Sequence, residues 1–100
     1  MVETKAINGG RRDRFKILLD ILEYCRTPRM QNYIIGNVQL SWAQTKRYVP
    51  ALVKKGYLVM SGPAGRGCLY TTSTMGLTVL KKIERVSRIR KELWAATADV

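Results

Sequence analysis

The stretch that decides the fold reads SWAQTKRYVPALVKKGYL and covers residues 41–58. Ser41 is a residue type that caps helix N-termini, and Gly56 is one that ends helices in the left-handed conformation. The residues that share one face at 3.6 residues per turn are Thr45, Val49 and Leu52. Basic residues occupy the opposite face. The spacing therefore predicts a helix over residues 42–55, with one side in a core and the other free for a partner.

Pro50 interrupts this helical pattern. Inside a helix, proline removes the hydrogen bond to the carbonyl group four residues earlier, here that of Lys46, and typically costs about 3 kcal/mol. We expect a kink at Pro50 and not two separate helices.

Upstream of this segment, the sequence predicts two further helices. From Asp13 onward, apolar residues recur at three- and four-residue spacing, which is typical of an amphipathic helix that ends before Thr27-Pro28. Because proline can open a helix, a short second helix is expected from residue 29 to about residue 35, closed near Gly36. Leu40 lies where an apolar staple residue precedes the third helix.

Downstream of residue 58, the sequence predicts a β-hairpin and a long final helix. Residues 57–61 and 68–72 favour strands, and the turn-rich segment GPAGRG at residues 62–67 joins them. Ser73 can cap a helix from residue 74 to about residue 94. The expected order is three helices, a hairpin and a fourth helix.

Charge is distributed unevenly along the chain. The formal net charge is +11, from 18 basic and 7 acidic residues among 100. Residues 24–83 contain no Asp or Glu, whereas nine Lys or Arg lie in the same stretch. Such one-sided charge favours a polyanionic partner, and nucleic acid is the leading candidate.

Composition also argues against several classes of function. The chain has no His, which removes the commonest general base and the commonest zinc ligand. Cys25 and Cys68 are too far apart for a metal or redox motif, and no paired carboxylates or activated nucleophile stand out. We therefore expect no catalytic residues, no metal and no cofactor. No apolar run is long enough to span a membrane, so we expect a cytoplasmic location.

Four motifs follow one another at a characteristic spacing: NVQLSW at residues 37–42, KRY at 46–48, KGYL at 55–58 and YTTSTMG at 70–76. Together they resemble the small archaeal winged-helix regulators, and within that group the ten-kilodalton chromatin-type family of Sulfolobus. The resemblance covers roughly residues 12–93. It implies an α+β winged helix-turn-helix fold, with three helices, a two-stranded β-hairpin wing and a long C-terminal helix. Pro50 departs from the family pattern, which usually has a helix-compatible residue there.

The resemblance implies binding to double-stranded DNA, with helix three in the major groove and a nucleoid-associated location. Groove-facing positions carried over from the family are Gln44, Lys46 and Arg47. The planar guanidinium of Arg47 suits bidentate pairing with guanine, whereas Lys46 acts as a point charge. The other residues expected at DNA are Lys54 on helix three, Arg66 at the wing tip, Arg26 and Arg29 near the start of helix two, and the helix cap Ser41. Trp42 and Tyr48 are expected to cover the core.

The last helix has two apolar sides. Leu77, Leu80 and Ile83 can face the winged core. A second set repeats with heptad spacing and comprises Val79, Val86, Ile89 and Leu93, preceded by Met75. Because one small core cannot cover both sides beyond about residue 84, the pattern predicts a homodimer through this helix, although Lys82 occupies one seam position.

The expected organisation is a flexible arm at residues 1–10, a DNA-binding domain at 11–76 and a dimerisation helix and tail at 77–100. Whether the protein regulates transcription or organises chromatin stays open. So does a second class of function, a winged-helix module that docks an acidic protein. RNA binding fits less well, because no cluster of exposed aromatic residues is evident.

Overall fold

The computed structural model describes residues 13–62 and 67–97. Within these residues the elements are α1 (Arg14–Tyr24), β1 (Arg29–Met30), α2 (Gln31–Val38), α3 (Trp42–Lys54), β2 (Leu58–Ser61), β3 (Leu69–Thr72) and α4 (Thr74–Ala96). The strands form one antiparallel sheet in the order β1-β3-β2. This is the expected α+β arrangement with a hairpin wing and a long last helix. The arm expected at residues 1–10 lies outside the described residues.

The core lies between α1, α2, α3, the sheet and the first half of α4. Its most deeply buried side chains are Ile21, Ile34, Leu58, Val49, Thr45 and Cys25. The hydroxyl group of Thr45 donates a hydrogen bond to the Ser41 carbonyl (2.9 Å), and that of buried Thr72 donates one to the Leu22 carbonyl (2.6 Å). These bonds remove the cost of burying the two hydroxyl groups.

The start of the second helix differs from our expectation. Residues 29 and 30 form the strand β1, in which Arg29 lies opposite Tyr70 and Met30 lies opposite Leu69. The sheet therefore has a third strand beside the wing hairpin. Backbone pairing with a segment forty residues away decides this conformation, and the proline before it does not open a helix.

The end of the second helix was also predicted wrongly. Helix α2 continues through Gly36 to Val38, and Gln39 adopts the left-handed conformation with φ 60°. Ile34 and Val38 are both buried and lie four residues apart. Their burial outweighs the cost of a glycine within a helix, which is about 1 kcal/mol.

Helix α3 forms one element across Pro50, as expected. Pro50 and Lys46 are both exposed, so the Lys46 carbonyl, which has no partner at Pro50, lies on the solvent side. Water can bind this carbonyl, which lowers the cost of the proline. The kink at Pro50 stays a prediction.

A hydrogen-bonded junction fixes the beginning of α4. The Ser73 hydroxyl accepts from the Gly76 N–H (3.1 Å) and donates to the Gly56 carbonyl (2.6 Å). The Ser73 N–H donates to the Tyr57 carbonyl (2.9 Å). A Cβ atom on Gly76 would lie 2.6 Å from that same Tyr57 oxygen and 2.5 Å from Thr72 Cγ2. The close approach of α4 to the wing therefore requires glycine at position 76.

The second half of α4 extends away from the core. Within α4, Leu80 is the last buried residue and Ile83 is half-buried, whereas every residue from 84 to 97 is exposed. None of the helices in residues 13–62 and 67–97 combines the length and apolar character needed to cross a membrane.

Cys25 and Cys68 are free and buried. Burial raises the pKa of the Cys25 thiol to about 11, an effect that the positive charge of Arg29 partly offsets. At neutral pH the Cys25 thiol is therefore protonated and a poor nucleophile.

Candidate nucleic-acid interface

Two reciprocal hydrogen bonds between Ser41 and Gln44 fix the beginning of α3. The Gln44 backbone N–H donates to Ser41 Oγ (3.0 Å), and the Ser41 backbone N–H donates to Gln44 Oε1 (2.9 Å). This capping box leaves only the Gln44 amide N–H groups and the Ser41 hydroxyl hydrogen to donate to DNA. Contact of either residue with DNA stays a prediction. Any hydrogen bond they donate to DNA must come from these groups.

Three cations lie on the exposed surface of α3, two of them opposite its buried side chains and one, Lys46, at the flank. They are Lys46, Arg47 and Lys54, and we call them the α3 basic face. Helix α3 contains no acidic residue, and none of the three cations forms an ion pair with any residue that the structure describes. The positive charge of this face is therefore available to an anionic partner.

Trp42 lies beside the α3 basic face and does not cover the core, contrary to expectation. Its side chain is 59% exposed, and its ring centroid is 5.8 Å from the Lys46 ammonium nitrogen. That separation is near the outer limit of a cation–π contact. Tyr48, in contrast, is half-buried and packs against the core as expected.

Arg26 contacts acidic residues of two helices. Its guanidinium bonds to the Glu23 carboxylate, and Arg26 Nη2 lies 3.7 Å from Glu84 Oε2. The hydrogen bond that Arg26 Nε–H donates to the Glu23 carboxylate raises the pKa of Arg26. These contacts tie the end of α1 to α4, so the charge of Arg26 is already compensated within the fold.

Arg29 lies in β1 and not at the start of the second helix. Its Nε–H donates to the Tyr24 carbonyl (3.1 Å), and its guanidinium carbon is 4.3 Å from the centroid of the Tyr24 ring. Both contacts stabilise the connection between α1 and β1. Contact of Arg29 with DNA stays a prediction, and hydrogen bonds to DNA would come from its guanidinium N–H groups other than Nε–H.

The structure describes both strands of the wing and the residues at either end of its tip, Gly62 and Gly67. Strands β2 and β3 pair from Leu58 opposite Thr72 to Ser61 opposite Leu69. This register brings residues 62 and 67 together at the end of the hairpin. Arg66 lies outside the described residues, so its contact with DNA stays a prediction.

The four residues expected in the α4 seam lie in two environments. Val79 is half-buried and packs against the core, whereas Val86, Ile89 and Leu93 are exposed. Trp94, which the sequence analysis did not single out, is 80% exposed near the end of α4. Within the described residues, no group of His, Cys, Asp or Glu could hold a metal ion.

The order of elements agrees with the comparisons with known proteins. Residues 11–91 match the family model described as winged helix-turn-helix. The chain belongs to the winged helix-turn-helix family. The helix-turn-helix comprises α2, the turn at residues 39–41 and α3, which places the α3 basic face on the second helix of the motif.

The resemblance to archaeal winged-helix proteins of the Sulfolobus type is confirmed by a solved structure. The crystal structure of Sso10a-2, a DNA-binding protein from Sulfolobus solfataricus, is similar with a TM-score of 0.68 and 25% sequence identity. The similarity covers 88% of this chain and 92% of that chain. A comparison with curated protein sequences gave no match.

Proposed function

We propose that this winged helix-turn-helix protein binds double-stranded DNA as a homodimer, in transcriptional regulation or chromatin organisation. The observation that carries the proposal is the α3 basic face, three cations on the second helix of the motif that form no ion pair with the described residues. Similarity to a protein described as DNA-binding supports it. The acid-free stretch from residue 24 to residue 83 extends the same charge bias beyond α3.

In this proposal, α3 lies in the major groove and most of the affinity comes from phosphate contacts. Arg47 is exposed and forms no ion pair with the described residues, so its guanidinium can form two hydrogen bonds to a guanine edge. Lys46 and Lys54 contribute point charges, and Arg66 adds a contact from the wing. The capping box keeps the N-terminus of α3 rigid, which reduces the entropy lost on binding.

The second half of α4 supplies the proposed dimer interface. Val86, Ile89 and Leu93 expose apolar surface at heptad spacing on a helix of 23 residues. No other described part of the same chain covers them, since residues 84–97 are all exposed. Pairing with the same surface of a second copy would bury this stripe in a self-complementary interface.

The proposal is tested by fluorescence anisotropy of a labelled random duplex at salt concentrations between about 50 and 200 mM. We expect tight binding at low salt that weakens steeply as salt rises, because each neutralised phosphate releases counterions. Arg47→Gln should weaken binding by about 1–3 kcal/mol. The matched control Arg85→Gln removes one charge from exposed α4 and should have a smaller effect.

Two results would contradict the proposal. Absence of duplex binding at low salt would favour docking of the α3 basic face onto an acidic protein. Equal losses for Arg47→Gln and Arg85→Gln would show that net charge, and not the position of the cation on α3, determines affinity.

A further inference from the structure

Arg47 also borders a cleft that DNA binding does not explain. The cleft lies between α1 and α3 and has a volume of about 490 Å³, within the range of small-molecule sites. Leu18, Leu52 and Tyr57 form its apolar floor. Ala51, the smallest side chain of the lining, leaves room beside them.

The residues of this apolar floor also line a second, smaller hollow. This hollow has a volume of about 190 Å³, shares the three floor residues with the cleft and is also lined by Phe15 and Val79. The side chain of Phe15 is 55% exposed, although it lies on α1 close to the core. The two hollows therefore adjoin the same apolar side chains, which can contact the hydrocarbon part of a ligand.

Three cations border the cleft: Arg14, Arg47 and Lys55. Within the described part of the chain, no acidic residue lines the cleft and none of the three cations forms an ion pair. Cations placed beside an apolar floor match a ligand with an anionic head and an apolar body. Two of the cations are arginines, whose planar guanidinium groups bind carboxylates in a bidentate manner.

We propose that this cleft binds a small organic anion, an aromatic or branched aliphatic carboxylate, and that the bound ligand withdraws Arg47 from DNA. The second part rests on the proposed function, because it requires Arg47 to contact the duplex. In a guanidinium paired bidentately with a carboxylate, the charge is compensated and one two-donor edge is occupied, so it binds a phosphate or a guanine edge more weakly. Ligand and DNA would therefore weaken each other's binding by the same factor.

The first experiment measures ligand binding without DNA. The probe is 2-naphthoate, titrated into the full chain and followed by backbone amide chemical shifts. Two comparison compounds isolate the contributions: 2-naphthamide has the same ring without the charge, and inorganic phosphate has charge without the ring. We expect saturable binding of naphthoate to each chain, with the shifts concentrated in α1 and α3, and much weaker binding of the other two compounds.

Three variants locate the site. Arg14→Gln should weaken naphthoate binding roughly tenfold, because it removes a charge-assisted pair. Lys81→Gln removes one positive charge from exposed α4, outside the cleft, and should leave affinity unchanged. Ala51→Trp should abolish binding without altering charge, because the indole fills the cleft from an exposed position that tolerates size.

Several results would overturn the ligand site. Absence of saturable binding would do so, as would equal affinity for naphthoate and phosphate or equal losses in Arg14→Gln and Lys81→Gln.

The second experiment adds 2-naphthoate to a preformed complex with labelled duplex DNA. We expect 2-naphthoate to release the DNA, and 2-naphthamide at the same concentration not to release it. Naphthoate could bind the free protein, and the protein could bind DNA, without naphthoate releasing the DNA. That result would contradict the proposed competition but neither of the two binding sites. If the protein does not bind the duplex at all, the proposed function fails, and the first experiment still decides the ligand site.

Discussion

The two halves of α4 contain similar apolar side chains, yet only the first half is covered by the rest of the chain. Between residues 74 and 83, Gly76 and Leu80 are buried against the wing and α1. Between residues 84 and 97, apolar side chains recur at the same spacing but are all exposed. The comparison shows that apolar spacing alone does not determine which face the rest of the chain covers, because coverage also depends on which elements the fold brings alongside.

The largest effect is expected from a single methyl group in the first half of α4. Gly76→Ala should destabilise the protein by about 3–4 kcal/mol, because the new Cβ meets a backbone oxygen that cannot move aside. Urea unfolding followed by circular dichroism measures the loss. Gly36→Ala is the matched control: its Cβ meets nothing within 4 Å, and it should stabilise α2 by about 0.5–1 kcal/mol. Similar values for both variants would show that the α4 junction is not tightly packed.

The second prediction concerns the exposed half of α4. Ile89→Glu should weaken the proposed dimer by about 2–3 kcal/mol, because it would bury a charge in the apolar seam of each chain. Sedimentation equilibrium measures the change in the dimer dissociation constant. Ala95→Glu adds the same charge to an exposed position off the seam and should have little effect. If both variants stay dimeric, the second half of α4 is not the interface.

A pair of serine substitutions compares the two halves directly. Ser73→Ala removes the cap of α4 and its hydrogen bond to the Gly56 carbonyl, and should cost about 2 kcal/mol. Ser87→Ala changes an exposed residue in the second half and should alter stability by less than about 0.5 kcal/mol. Thermal unfolding of both variants at the same protein concentration tests the difference. Equal shifts in Tm would contradict it.

The smallest effect is expected at the imperfect seam position. Lys82→Leu should strengthen the proposed dimer by about 1 kcal/mol, because a lysine within an apolar seam lowers stability. Lys81→Leu makes the same chemical change on the next residue, which lies off the seam. A dimer that tightens equally in both variants would indicate non-specific apolar contact and not a defined register.

The elements that the sequence predicted well are those with local signals. Ser41, Gly56 and Ser73 lie at the helix boundaries that their conformational preferences predicted. The capping box was also visible in the sequence as Ser41 followed three residues later by Gln44, but it was not recognised.

The elements that were missed depend on contacts between distant residues. Strand β1 has no local strand signal, and it exists because Met30 pairs with Leu69. Arg26 was predicted to contact phosphate; it pairs with Glu23, three residues earlier, and Glu84 approaches it only after folding, while its contact with DNA stays a prediction. The α3 basic face could be predicted, because the helical repeat of 3.6 residues is enough to place Lys46, Arg47 and Lys54 on the exposed surface of α3.

The most direct test of the account is the salt dependence of duplex binding by the native chain, Ile89→Glu and the charge control Ala95→Glu. A duplex of about 30 base pairs, long enough for two half-sites one helical turn apart, should be used. If α4 joins two DNA-binding domains, the native chain and Ala95→Glu should share one steep slope, and Ile89→Glu should show about half of it, because half as many phosphates are neutralised by each bound unit. The same slope for all three proteins would contradict the dimeric account, and no binding by any of them would contradict DNA binding itself.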